Sequence, residues 1–387
     1  GAYNTALGTN ALLANTTAAS NTGVGFKALF ANTTGTSNTA VGTNALDANT
    51  TADHNTAVGQ SALGANTTGT QNTAVGSGAL LTNTTGTGNS ASGVNALYYN
   101  TSGDSNTAVG SGSLQANTTA DANTAFGNLA LHANTTGYGN TAVGSVSGDS
   151  ITTGVNNTTV GRASLTTCTT GGSNVAMGVS ALEALLTASD CTAIGANAGG
   201  LITTGVRNTM IGSAAGDTTT TGQVNICIGY NPVASAATTN NEIVIGSGGI
   251  TGKGQSTGFI SPGSGGVYQG NNSANWSTVS DRRLKKNIVD STIGLAEINQ
   301  LQVRNFEYLT ADEITELPTS SVVAKAGVQL GVIAQEIQAI LPNCVKEEST
   351  GVLSVDPDNL TWHMIKAIQE LSTQLDAALA RITTLEG

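Results

Sequence analysis

Ser280 and Lys285 stand five residues apart in the run SDRRLKKNI, Ser280 to Ile288. These are the residue types of a serine–lysine dyad, in which a neutral amine takes the hydroxyl proton and frees the oxygen to attack a carbonyl. A lysine serves as a base only without its charge, a form that burial and the neighbouring cations Arg282, Arg283 and Lys286 would favour. A spacing of five places two side chains about 140° apart on an ideal helix. The segment must therefore bend, or the two partners must come from different chains. The competing reading is that Ser280 or Asp281 caps a short helix whose basic residues are solvated.

Other reactive residue types are scattered. Cys168, Cys191, Cys227 and Cys344 have neither the regular spacing of a disulfide framework nor the CxxC or Cys/His clusters of a metal site. They read as reduced, partly buried thiols, and His54, His132 and His363 as structural or surface residues. No cofactor and no metal is expected. Asp47, Asp53, Asp104, Asp121 and Asp149 are sporadic and do not pair at matching positions, so a glycosidase site is not expected in this part of the chain.

The element that must carry this chemistry is written in glycine. One recurs every seventeen residues from Gly8 through Gly25 and Gly42 to Gly246, fifteen times in strict register. NTAVG precedes it at Asn38, Asn55, Asn72, Asn106 and Asn140. A fixed period of this kind defines a solenoid, whose coils bury surface only by stacking. Seventeen residues suit two short strands joined by two turns and are too few for a helical hairpin, so a parallel β-roll is expected. Period-two alternation puts Thr56 and Val58 on one face and Ala57 on the other. A Leu four residues after the glycine (Leu12, Leu29, Leu46, Leu63) would supply the other wall of a Val-and-Leu core. The intervening ANTTG reads as a turn with left-handed Asn and Gly. Stacking would align Asn15, Asn32, Asn49 and their successors to Asn134 in one amide ladder, and Asn4, Asn21 and Asn38 in a second. At about 4.8 Å per rung, fifteen coils make a rod roughly 70 Å long. So thin a rod implies several chains packed side by side, here expected through the Ala faces.

Composition agrees with an extended extracellular object. The chain has 50 Gly and 5 Pro, with 4% aromatic and 10% charged residues, which leaves too little for one large globular core. A net charge of −11 disfavours nucleic acid as a partner. No apolar run approaches the length of a membrane span. The first residues already lie within a repeat, so signal or anchor elements are expected ahead of them.

After Gly246 the pattern changes. Residues 1–250 form the repeat domain and 251–279, rich in Gly, Ser, Thr and Asn, a capping neck. Of 24 acidic and 13 basic residues, 15 and 10 lie after residue 250, marking a second domain over 280–360. LQVRNFEYL (Leu301 to Leu309) reads as a strand, and Gly331 to Leu341 as a strand end entering an amphipathic helix with Ile333, Ile337, Ile340 and Leu341 on one face. Over 361–387, Met364, Ile368, Leu371, Leu375, Ala378, Ile382 and Leu385 alternate spacings of four and three. This is the seam of a coiled coil. The alternative is one amphipathic helix packed on its own domain.

SDRRLKKNI, GVIAQE (Gly331 to Glu336) and the finish VD…L…AIQEL (Val355 to Leu371) together resemble the C-terminal intramolecular chaperone of phage endosialidases, tail spikes and tail fibres. The resemblance covers roughly residues 278–387. It departs from the family at VDPDNL (Val355 to Leu360), where VDY is usual. It implies a domain that trimerises, guides folding of the β-rich fibre ahead of it, and is released by self-cleavage at the Ser of the opening motif. Attack by Ser280 on the preceding carbonyl would cut between Val279 and Ser280, whereas a cut between Ser280 and Asp281 needs a nucleophile from elsewhere. The repeats separately resemble the parallel β-roll heads of trimeric autotransporter adhesins, whose coils carry NSVAIG. The expected fold is mainly β: a trimeric parallel β-roll followed by an α+β chaperone domain ending in a coiled coil. The expected function is a homotrimeric tail fibre or cell-surface adhesin, matured by single-turnover serine endopeptidase activity and offered to a host-surface receptor or glycan. A polysaccharide-degrading spike and an ice- or surface-binding solenoid, the latter prompted by Thr33 and Thr34 and their repeats, are the alternatives. NTT triplets also match the N-glycosylation pattern, which the repeat geometry already accounts for.

Overall fold

The computed structural model describes residues 1–262, 266–270, 276–278, 281–310, 312–316, 323, 325–348 and 351–386. The chain divides into two compact units, Gly1–Ser280 and Asp281–Gly387.

The first unit is a parallel β-solenoid. Fifteen short strands, β1 (Thr5–Leu7) through β15 (Ile243–Gly246), pair in chain order with a register of seventeen, as in Thr56↔Thr73, Ala57↔Ala74 and Val58↔Val75. Each coil carries one regular strand rather than the expected two. The far side of the coil is a run of turns that still bonds from coil to coil, with Leu29 N donating to Ala45 O at 3.0 Å and Thr33 N to Thr50 O at 2.9 Å.

The alternation of the strand is as expected, but its faces are reversed. Ala57 has no exposed surface, whereas Val58 is 37% exposed. The interior belongs to Ala57, Ala62 and Leu63 and their equivalents, because a single-strand coil leaves room for one Leu and two small residues. The Ala columns are therefore core, and the face offered to a neighbouring chain is Thr and Val.

Left-handed backbone is also placed elsewhere than ANTTG. Within the coil after Gly25 it falls at Lys27 (φ 55°), Leu29 (φ 55°) and Ser37 (φ 59°), while neither Asn32 nor Gly35 adopts it. A left-handed leucine costs on the order of 1 kcal/mol. Here that strain turns a fully buried side chain inward and aims its N–H at the next coil.

Freed from the turn, Asn32 and its equivalents form a buried ladder. Asn49 Nδ2 donates to Asn32 Oδ1 at 2.8 Å, and the second ladder runs beside it, Asn38 N donating to Asn21 Oδ1 at 2.9 Å. Asn38 and Asn49 both donate to Ala52 O, at 2.8 and 3.1 Å, so each turn carbonyl is held from two sides. These side-chain amides satisfy the turn carbonyls of the coils that carry both ladders. The second ladder's column ends on Glu242, whose buried carboxylate accepts from Ser235 N at 2.8 Å, Ser235 Oγ at 3.0 Å and Gly254 N at 2.7 Å. Beyond it, β16 (Gly258–Ser261) pairs in parallel with β15 and places Phe259 over the end of the core. β17 (Val267–Gln269) and β18 (Trp276–Thr278) add antiparallel rungs.

The second unit is small and mixed. β19 (Arg304–Phe306) pairs antiparallel with β20 (Gln329–Gly331), and β21 (Val345–Glu347) with β22 (Leu353–Val355). Helix α1 (Leu295–Ile298) packs on the long terminal helix α3 (Pro357–Glu386), and α2 (Ala334–Ile340) follows β20 directly. The core is Ile337, Leu341 and Cys344, with Ile293, Ile298, Leu301, Val332 and Leu360 packed on it. VDPDNL opens α3: Asp356 Oδ1 accepts from Asp358 N at 3.0 Å and Asn359 N at 3.2 Å, an N-cap ahead of a proline whose missing N–H costs nothing in the first turn.

Candidate functional site

Val279 and Ser280 lie outside the described residues, which begin again at Asp281. Asp281 is a helix cap. Its Oδ1 accepts from Arg283 N at 2.8 Å, starting a single 3-10 turn over Arg282–Leu284, and its Oδ2 pairs with Arg283 Nη2 at 2.6 Å. The Arg283 guanidinium and N–H hold the Asp281 carboxyl below the usual carboxylate range. The turn ends at Lys285, which is extended (φ −119°, ψ 143°). From Asp281 onward the motif is thus a single turn followed by extended chain rather than a continuous helix. Lys285 is exposed in the single chain.

The other motif residues position structure. Glu336, from GVIAQE, pairs through Oε1 with Arg304 Nη2 at 2.9 Å and ties α2 to β19. Glu370, from AIQEL, accepts from Leu295 N at 2.9 Å and fixes the start of α1 on α3. His363 is buried and bonded through Nε2 to Asn343 Nδ2 at 3.2 Å.

The heptad residues all lie on α3, and none is buried by this chain. Met364 is 44% exposed, Leu371 53% and Ile382 49%, and Ala378 is exposed as well. Leu375 and Leu385 continue the stripe, and Met364, Ile368 and Leu371 also line a groove with Leu295 and Ile298 of α1. Among the described residues no helix is long and apolar enough to cross a membrane, and no three His, Cys, Asp or Glu side chains are grouped to hold a metal ion.

On the solenoid, the threonine pairs do different work. Thr33 Oγ1 donates to Thr50 O at 3.1 Å, so the first hydroxyl of each pair is spent between coils, and only the second, as at Thr34, Thr51 and Thr68, faces outward. Asn32, Asn49 and Asn66 of the NTT triplets are fully buried, out of reach of a glycosylating enzyme once folded. Two features escaped the sequence reading: the outward Val row and the buried Glu242. Only the position of residue 242 in a column that is otherwise Asn apart from Cys191 signalled the latter.

Residues 280–346 match the model of a family described as chaperone of endosialidase, which places that domain directly after the solenoid. The chain is also 32% identical over 112 residues to a probable tail fiber protein of Escherichia phage Phieco32, covering 27% of this chain and 14% of that protein, so it spans only a small part of that relative's length. No solved structure matches the chain.

Proposed function

We propose that the chain is the shaft portion of a homotrimeric, virion-associated tail fibre whose C-terminal region, from residue 280, chaperones assembly and then cuts itself free. One observation carries this reading: the chaperone match begins at residue 280, where the solenoid unit ends and the second unit starts. The heptad stripe of α3, exposed along its length, gives the chaperone a surface that three copies would bury together.

In the proposed cleavage, Lys285 Nζ takes the proton of Ser280 Oγ, and the oxygen adds to the Val279 carbonyl. The Val279–Ser280 C–N bond then breaks as the nitrogen is protonated, which leaves an ester. Water hydrolyses the ester to a Val279 carboxylate and a chain beginning at Ser280. A cut on the other side of Ser280 would leave Asp281 as the new first residue and would require a nucleophile from another element. Either cut leaves the fibre kinetically trapped, because its folding catalyst has departed. The exposed Lys285 makes assembly part of the mechanism, since only packing against another surface would take the amine out of water.

The test is intact-mass spectrometry with native sizing of freshly expressed chain. The wild type should give a trimeric rod ending at Val279 or Ser280 plus the complementary fragment, whereas Ser280→Ala should give an uncut trimer. An uncut wild-type chain would sink the self-cleavage, and a stable folded monomer the trimer.

A further inference from the structure

One row of side chains on the solenoid lies outside its core. It is the third residue of each strand: Val41, Val58 and Val143 at 37% exposure, Val75 at 41%, Phe126 at 57%, Met177 at 40% and Ile194 at 39%. The row begins at Leu7 and continues past β15, where Ile245 pairs with Ile260 and Ile260 with Val267, each of the last two more than a third exposed. Its polar step is Ser92, in the coil where Val94, two residues on, is 52% exposed. The opposite turn presents threonine at the same spacing, with Leu186 at 45% exposure an isolated apolar step in it. The row is not a spare core, because Ala57, Ala62 and Leu63 already fill the interior at zero exposure.

Fifteen rungs at about 4.8 Å, with a strip roughly 10 Å wide, give on the order of 700 Å² of apolar surface. That exceeds the roughly 300–600 Å² of the largest patch on a typical monomer and approaches the ~800 Å² that each partner gives to a stable interface. The row also selects its occupant. It offers one knob per coil at constant pitch, and a partner with any other repeat drifts out of step within a few rungs, whereas a second copy in register repeats the same contact at every rung. Around an axis parallel to the row, the same residue of each copy meets at the same height.

We propose that this row is the surface along which copies of the chain pack side by side, parallel and in register, over the length of the solenoid. It rests on the oligomeric fibre reading above and adds to it the face, direction and register of the contact.

The full-length chain tests this by disulfide capture. The wild-type thiols at Cys168, Cys191, Cys227 and Cys344 are all buried, so a cysteine introduced on the surface reports alone. Under mild oxidation Val75→Cys and Val143→Cys should each form linked dimers at least fivefold more than Thr68→Cys on the threonine face. Assembled from a mixture of the two variants, peptide mapping should find 75–75 and 143–143 links and no 75–143 link. Equal linking by Thr68→Cys, abundant 75–143 links, or no links in a chain that sediments as an oligomer would each overturn the packing and leave the oligomeric reading intact. A chain that sediments as a monomer overturns both.

Discussion

Ile151 stands one coil beyond Asn134 in the same column, and its apolar side chain leaves the buried Asn134 Oδ1 with no hydrogen-bond partner among the described residues. Asn134 Nδ2 still donates backward to Asn117 Oδ1 at 3.1 Å, so the amide ladder ends there and an apolar column of Ile151, Cys168, Leu185 and Ile202 takes over. The change is compensated across the coil: Leu131 faces Asn134, but Gly148 faces Ile151 and Gly199 faces Ile202. A Cβ at Gly148 would lie 3.0 Å from Ile151 Cδ1 and 3.2 Å from Leu131 Cδ2.

A double-mutant cycle tests this compensation. Gly148→Leu alone overpacks, and Ile151→Asn alone exchanges a well-packed side chain for a smaller one. Each should cost about 1–3 kcal/mol. Together they rebuild the Leu-and-Asn coil and return a donor to Asn134, so the double variant should be more stable than the sum by about 1 kcal/mol or more. Additive losses in thermal melting would refute the coupling.

Gly110 tests why the seventeenth residue is always glycine. Its φ is +128°, and a Cβ there would run into the backbone carbonyl of Gly127 on the next coil. Close stacking as well as turn geometry therefore excludes a side chain. Gly110→Val should cost about 3 kcal/mol or more and lower the melting temperature, with protease entry at the two adjacent rungs. Unchanged melting would contradict this.

The core thiols give the solenoid an alkaline limit. Burial, with a smaller push from the Glu242 carboxylate, moves Cys227 up to about 12, and burial moves Cys168 up to about 11, from an ordinary value of 9.0. Above pH 9 the unfolded chain sheds these protons while the folded one keeps them, so stability is level below pH 9 and falls as pH rises toward each folded value. The slope should be roughly 1 kcal/mol per pH unit for each thiol. Cys227→Ala puts in that column the alanine most coils carry and should flatten the limb. A denaturant series from pH 8 to 11 reads it.

The solenoid was legible because its signal is redundant. A strict period in glycine and asparagine fixes coil length, stacking and both ladders without any reference to a partner. The face assignment was not legible from Thr56, Ala57 and Val58, because alternation says only that two faces differ. Which face is inside depends on the coil's width, and the left-handed Leu63 sets that width in a way a residue's type does not announce. At the junction, the motif residues and the cap at Asp281 could be read, but the exposure of Lys285 in the single chain could not, because residue types do not state what packs on a side chain.

Leu371 tests the proposed link between that exposure and assembly. It is 53% exposed on α3, in the middle of the heptad stripe, and Glu370 beside it fixes α1. A carboxylate placed there would have to be buried among apolar partners in a trimer, so Leu371→Asp should abolish trimerisation while leaving the small core around Ile337 and Leu341 intact. If Lys285 becomes a base only when packing removes it from water, the same variant should also remain uncut. Lys285→Ala should separate the two effects by forming trimers that stay full length. Sedimentation and intact mass measured on the same samples decide the matter: a monomeric Leu371→Asp chain that cleaves at the wild-type rate would show that cleavage and assembly are independent.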